Sequence, residues 1–212
     1  LLAGRPHARV IAVDTSKVAA ASGVAAVYTA KDVPVNEYGL QWQDQPVLCG
    51  PGSSKPGTDV VRFVGDQVAV VVAQTEAQAA AALKLIQVEY KDLPVVTDPV
   101  EAMKPDSPRV HEHIGDSNIC VHYTIRKGNV EEGFASADVV VEGQYRTPVQ
   151  EHAYLQPEAG LAYIDEEGRI TIACGGQWTH EDRHQVAHAL GMANEDIRIV
   201  YPAIGGAFGG RE

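Results

Sequence analysis

The stretch Val61-Arg62-Phe63-Val64-Gly65-Asp66-Gln67-Val68-Ala69-Val70-Val71-Val72-Ala73 carries the strongest β signal in the chain. Val60 to Val64 and Gln67 to Ala73 read as strand runs separated by Gly65-Asp66, and their apolar density predicts burial. Thr75-Glu76-Ala77-Gln78 follows as a capping box, in which the Thr hydroxyl accepts from the N3 amide and Gln78 reaches back. Ala79 to Ala82 are the best helix formers and carry a helix to about Ile86. Val88 to Tyr90 then starts another strand. Strands and helices in this succession imply a sheet covered by helices, not an all-helical or all-β chain.

Working outward, Arg9 to Asp14 is rich in β-branched residues and predicts a short strand. Thr15-Ser16 offers an N-cap, Ala19 to Ala21 favour helix, and Gly23 suits its stop. Val24 to Thr29 reads as a second strand. Residues 34 to 59 are rich in Pro, Gly, Ser and Gln, and predict a long surface excursion. The sum is an α+β or α/β unit of about 100 residues.

Lys104-Pro105-Asp106-Ser107-Pro108 reads as a linker, and a second unit is expected from about His122. There, Val139 to Tyr145 and Glu158 to Asp165 predict strands. Glu166-Glu167-Gly168 predicts a turn that lets Ile170 to Cys174 pair back as a hairpin. Thr179 is placed to cap a helix reaching Leu190, with Gly191 as its stop. Ile197 to Tyr201 is a last strand, and it delivers the glycine-rich run Ile204-Gly205-Gly206-Ala207-Phe208-Gly209-Gly210-Arg211-Glu212. No internal repeat is visible.

Composition narrows the partners. Seventeen basic against 28 acidic residues give a formal charge of −11 over 212 residues. That balance excludes a phosphate-gripping nucleic-acid binder and disfavours an anionic membrane surface. No apolar run is long enough to span a bilayer. Cys49, Cys120 and Cys174 are scattered and odd in number, which points to reduced thiols in the cytoplasm rather than a disulfide frame. The N-terminus has no signal-peptide pattern, since the basic residue follows the apolar pair. The lack of an initiator Met and the glycine-rich end lead us to expect a piece of a longer chain.

Three clusters bear on chemistry. His180-Glu181-Asp182-Arg183-His184 matches H-E-x-x-H, which on a helix sets two imidazoles on one face for zinc, with Glu181 as base. Here His180 falls in an exposed first turn, Asp182-Arg183 is charged, and His188 extends a polar stripe, so a solvated helix face accounts for the pattern. His111-Glu112-His113 lies in a loop after prolines, with no third ligand at a telling spacing. The glycine run is neither a dinucleotide fingerprint nor a P-loop. It reads as a packing turn or as a nest of backbone N–H groups facing an oxyanion or a metal-bound oxygen.

Several motifs together resemble the molybdopterin-binding large subunit of the xanthine dehydrogenase/aldehyde oxidase family. They are Pro6-His7-Ala8-Arg9-Val10, the 61–73 stretch, Glu151-His152, Pro157-Glu158, Gly176-Gln177 and the 204–212 glycine run. The resemblance covers nearly the whole chain. It implies an α+β architecture: an α/β hammerhead domain over residues 1–103, a linker over 104–121, and the first part of a mixed α/β molybdopterin-binding domain over 122–212. It also implies an oxidoreductase that hydroxylates a C–H beside a heteroatom or carbonyl with oxygen from water. The molybdenum is held by the pterin and not by protein ligands. Iron–sulfur clusters and FAD on partner subunits or domains carry the electrons away.

Carried over residue by residue, the resemblance implies that Gln177 donates an uncharged amide hydrogen bond near the molybdenum oxygen and the pterin. Gly206, Ala207, Phe208 and Gly209 become the loop beside the metal, with the Phe208 ring on the substrate side. Glu212 becomes a substrate contact. Ala207 departs from the commoner glycine and Arg211 from the usual Lys, which leaves the substrate open among aldehydes, purines, nicotinate-like heterocycles and aromatic acyl thioesters, with a lean toward heterocycles and away from carbon monoxide. The family's general-base glutamate and substrate-binding arginine lie downstream of these motifs. The chain is therefore expected to form one wall of the site, to need the remainder of the molybdenum-binding region, and to be inactive alone. The competing readings are a zinc hydrolase using His180, Glu181 and His184, and a non-catalytic interaction domain using the 34–59 excursion.

Overall fold

Residues 1–211 are described in a computed structural model. The N-terminal half runs β1 (Ala8–Asp14), α1 (Ser16–Ala19), β2 (Val24–Thr29), β3 (Val60–Val61), β4 (Ala69–Ala73), α2 (Glu76–Leu83), β5 (Gln87–Asp92) and α3 (Pro99–Ala102). β1 is central, with β3 on one side and β5 on the other, both antiparallel to it. β2 and β4 form a separate antiparallel ribbon. The core gathers on β1: Val10, Val61 and Val68 are buried with Ala3, Ala8 and Cys49, and Val13, Val88 and Tyr90 cover them. Each such valine contributes about 1.5–3 kcal/mol of burial.

The stretch around Gly65-Asp66 departs from the expected pair of long strands. The Asp66 carboxylate accepts from the amides of Arg62 (2.7 Å) and Phe63 (3.2 Å). A carboxylate that captures nearby N–H groups competes with a sheet ladder. The expected 60–64 strand is therefore reduced to β3, and the next strand begins at Ala69. Two other local expectations also shift. Gln78 N donates to Thr75 Oγ1 as a cap should (3.3 Å), but the Gln78 side chain accepts from that hydroxyl instead of reaching the Thr75 backbone. α2 ends at Leu83, where Lys84 N turns to the Ala81 and Ala82 carbonyls. Thr15 stands at the α1 N-cap without a side-chain cap bond, and Asp14 Oδ1 takes the Ser16 amide at 2.9 Å.

The 34–59 excursion is pinned from inside. Asn36 is almost fully buried, and its amide pairs with both the N–H and the carbonyl of Leu48 at 2.9 and 2.8 Å. It thus mimics one rung of a ladder across the loop.

The C-terminal half contains α4 (Val130–Ser136), β6 (Gly160–Ile164), β7 (Ile170–Cys174), α5 (Thr179–Leu190) and β8 (Ile197–Val200). The sheet order is β6-β7-β8, with β6 antiparallel and β8 parallel to β7. Asp165 organises the expected hairpin turn, accepting from Glu167 N, Arg169 N, Arg169 Nε and Thr171 Oγ1 at 2.9–3.0 Å. Residues 139–145 do not form the expected strand. They find no neighbouring strand among the described residues, and Val141 and Tyr145 stay exposed. α5 ends on left-handed Gly191 as expected, but Thr179 is its first helical residue and Trp178 occupies the N-cap with no side-chain cap bond. No helix among the described residues is long and apolar enough to cross a membrane.

The two halves meet where the excursion docks on α5. Val35 N donates to Ala189 O (3.0 Å), Gly39 N donates to Gln185 Oε1 (3.1 Å), and Glu37 Oε1 receives Lys55 Nζ (2.6 Å) and His188 Nε2 (3.0 Å).

Candidate functional site

β7 and β8 are parallel, so their C-terminal ends lie at one edge of the sheet, where open α/β sheets bind ligands. Gly175-Gly176-Gln177 leaves the end of β7, and residues 204–211 leave the end of β8. The two segments meet in a bond from Gly209 N to Gln177 Oε1 at 2.9 Å. Strand direction thus places side by side two groups that lie 32 residues apart in sequence.

The glycine run is a tight turn. Gly210 N donates to Ala207 O at 2.9 Å, and both central residues have positive φ, 54° at Phe208 and 84° at Gly209. This is the mirror-image turn that favours glycine. A phenylalanine in the left-handed region costs about 1–2 kcal/mol. Its ring gains little packing in return, since Phe208 is 76% exposed. Ala207, the residue before it, is buried.

The run is tied at both ends to the segments that precede β6 and follow β7. Gly205 N donates to Gln156 Oε1 at 2.7 Å. The Arg211 side chain is only 5% exposed and pairs with Glu158 at 3.1 Å. Its Nη1 reaches Gly175 O (3.3 Å) while Nη2 reaches Gln156 O and Pro157 O (both 3.1 Å). The guanidinium carbon lies 4.4 Å from the Tyr154 ring centroid, a cation–π contact. The departure from lysine noted in the sequence therefore has a structural use, because only a planar fork addresses several carbonyls while stacking on a ring.

A second tie sits behind Gln177. Tyr201 Oη donates to Asp182 Oδ2 and accepts from Trp178 N at 3.1 Å. Burial, and then the Asp182 carboxylate, hold the Tyr201 proton well above its ordinary pKa, so the phenol stays neutral. Gly176 fits against this pair: a Cβ there would stand 2.3 Å from Tyr201 Oη and 2.6 Å from Asp182 Oδ2.

Among the described residues, the amides of Gly206, Ala207 and Phe208 and the Gln177 Nε2 donate to no protein acceptor. The edge thus offers uncharged donors, the chemistry that suits an oxo or oxyanion group. Gln177, Gly206, Ala207, Phe208 and Gly209 are brought together; Glu212 lies outside the described residues. Gln156, Tyr154, Asp182 and Tyr201 were not singled out from the sequence. The Arg211 departure, which in the sequence bore only on the substrate, marks the residue that anchors this end.

The other clusters do not assemble. His180 and His184 are not drawn together with further ligands, and no group of three or more His, Cys, Asp or Glu is arranged to hold a metal ion among the described residues. Glu112 pairs with Arg9 at 3.6 Å. The His111 and His113 rings lie 5.8 Å apart, and burial and then the Arg62 cation lower the pKa of both.

Residues 1–94 match the aldehyde oxidase and xanthine dehydrogenase a/b hammerhead domain family, and residues 110–212 match the molybdopterin cofactor-binding domain family. The chain is 44% identical over 208 residues to a probable xanthine dehydrogenase subunit of Bacillus subtilis, covering 98% of this chain and 26% of the relative. It is 37% identical over 207 residues to the nicotinate dehydrogenase large molybdopterin subunit of Eubacterium barkeri, covering 97% and 46%. Among solved structures, the aldehyde oxidoreductase from Desulfovibrio gigas superposes with a TM-score of 0.84 at 28% identity, over 98% of this chain and 23% of its own. Quinoline 2-oxidoreductase from Pseudomonas putida 86 gives 0.81 at 28% identity, over 99% and 27%. The chain spans between 26% and 46% of the length of these two curated relatives.

Proposed function

Because the chain belongs to the xanthine dehydrogenase/aldehyde oxidase family of molybdopterin-binding subunits, we propose that the joined ends of β7 and β8 form one wall of a molybdenum hydroxylase site. The Gly209 N–H to Gln177 Oε1 bond carries this reading. By occupying the amide oxygen it aims Gln177 Nε2 outward, beside the unpaired amides of Gly206, Ala207 and Phe208. These donors fit an oxygen-bearing, pterin-held molybdenum, because they stabilise negative oxygen without adding charge or competing as ligands.

When bound, the molybdenum–pterin group supplies the redox chemistry that hydroxylates a C–H next to a heteroatom or carbonyl with water-derived oxygen. The chain's own residues orient and enclose. Gln177 and the 206–209 turn hold the cofactor edge, the exposed Phe208 ring offers an apolar face to a planar aldehyde or heterocycle, and Glu212 contacts the substrate. The proton-accepting glutamate and the remaining wall come from the rest of the molybdenum-binding region, and iron–sulfur and flavin partners take the electrons. The hammerhead unit (1–103), the 104–121 connection and the 122–212 unit, in a cytoplasmic oxidoreductase, complete the reading.

The test is Gln177→Ala in the full-length protein. Turnover is expected to fall by roughly 10²-fold, as for loss of one preorganised donor, with thermal stability nearly unchanged. Undiminished turnover at full molybdenum occupancy would remove Gln177 from the site. Residues 1–212 produced alone should retain little molybdopterin and no activity; stoichiometric cofactor on that piece would overturn the one-wall reading.

A further inference from the structure

The β7–α5 turn that carries Gln177 has no side-chain cap of the usual kind, for Trp178 stands at the N-cap and Thr179 caps nothing. What holds the turn comes from the other arm of the site. Tyr201 follows directly after β8, and its phenol bridges the Trp178 amide and the Asp182 carboxylate in the first turn of α5. Asp182 N also donates to Trp178 O at 2.9 Å, so the turn is closed from both sides. Gly176 packs against the same two oxygens with no room for a Cβ. Gln177 therefore sits between a residue wedged on this pair and a residue hydrogen-bonded to it.

We propose that Tyr201 and Asp182 are positioning residues for Gln177, locking the turn after β7 to the segment after β8 so that the Gln177 amide keeps its register on Gly209. The inference rests on the assignment of Gln177 to the cofactor edge. The phenol is suited to the task because it donates and accepts at once, whereas phenylalanine would leave the Trp178 amide and a half-buried carboxylate without partners.

In the full-length, cofactor-loaded protein, Tyr201→Phe is expected to lower kcat about tenfold with KM within threefold, and to speed amide hydrogen exchange across residues 176–178. Asp182→Ala should do the same, Asp182→Asn should recover turnover relative to Asp182→Ala because it keeps an oxygen acceptor, and the Tyr201→Phe/Asp182→Ala double variant should cost no more than either single change. Gly176→Ala attacks the same contact without removing a polar group and should match Tyr201→Phe. Val10→Ala, in the remote N-terminal core, supplies a destabilised control whose kcat should not move. If Gln177→Ala lowers turnover while Tyr201→Phe and Gly176→Ala do not, or if Val10→Ala lowers kcat equally, the positioning role is wrong. If Gln177→Ala itself leaves turnover unchanged, the site assignment falls instead.

Discussion

Glu37 and His188 stand 151 residues apart in sequence and meet at 3.0 Å, with Lys55 Nζ on the same carboxylate oxygen at 2.6 Å. The contact fastens the 34–59 excursion of the first half to α5 of the second. Burial raises the Glu37 pKa, but the bonds from Lys55 and then His188 outweigh it and leave the carboxyl below its ordinary value. A depressed carboxylate contributes stability that is fully present above its unfolded pKa and is lost as pH falls through the folded one. Glu37→Gln is expected to lower Tm by a few degrees near neutral pH, on the order of 1 kcal/mol, and to narrow the gap to wild type as the solution becomes acidic. A gap that widened in acid would contradict this linkage.

Asp165 offers a sharper pH signature. Burial pushes its carboxyl up, yet the Arg169 backbone and side chain and the Thr171 hydroxyl bring it down to about 2. The stabilisation is complete above the unfolded value near 4, and should disappear between about pH 4 and about pH 2. Acid titration of Asp165→Asn by circular dichroism is expected to lack that component. An unchanged acid profile would show that the hairpin turn does not depend on the charge.

Arg211→Lys restores the residue that the resemblance leads one to expect, and we expect it to destabilise. A single ammonium cannot serve Gly175 O, Gln156 O and Pro157 O while stacking on Tyr154. The loss should be about 2 kcal/mol, read as a lower denaturation midpoint. A neutral or stabilising outcome would mean that the fork is dispensable.

Phe208→Asn separates backbone strain from ring function. Asparagine tolerates the left-handed region, and the exposed ring adds little packing. The variant should gain about 0.5–1 kcal/mol while turnover in the full-length protein declines. A loss of stability would show that the ring, and not the turn, decides the energetics there.

The sequence carried the strands wherever β-branched density coincided with a partner. β1, β2, β4 and the β6–β7 hairpin follow from residues 9–14, 24–29, 67–73 and 158–174. It overcalled 139–145, where the apolar pattern is real but no neighbouring strand among the described residues completes the ladder. It also overcalled 62–64, where one carboxylate redirects two amides. α3 and α4 were not anticipated, since neither is long enough for periodicity to speak; their caps, Asp98 before Pro99 and Asn129 before Val130, are the local signals that mark them. At the site, the motifs named Gln177 and the glycine run. Their meeting depends on β7 and β8 being parallel, and the supports behind them (Gln156, Asp182, Tyr201) are ordinary residues whose role exists only once strand direction is known.

Segments rich in glycine are usually the first to open, because little holds them and much entropy is released. The Arg211 fork reverses that expectation. Freeing the 205–210 run requires pulling one guanidinium off carbonyls at both 156–157 and 175, so the run cannot loosen by itself. The bonded amides of the run, Gly205, Gly209 and Gly210, should therefore exchange together with β7 and β8 rather than ahead of them, so that a glycine-rich stretch opens only with the strands it joins.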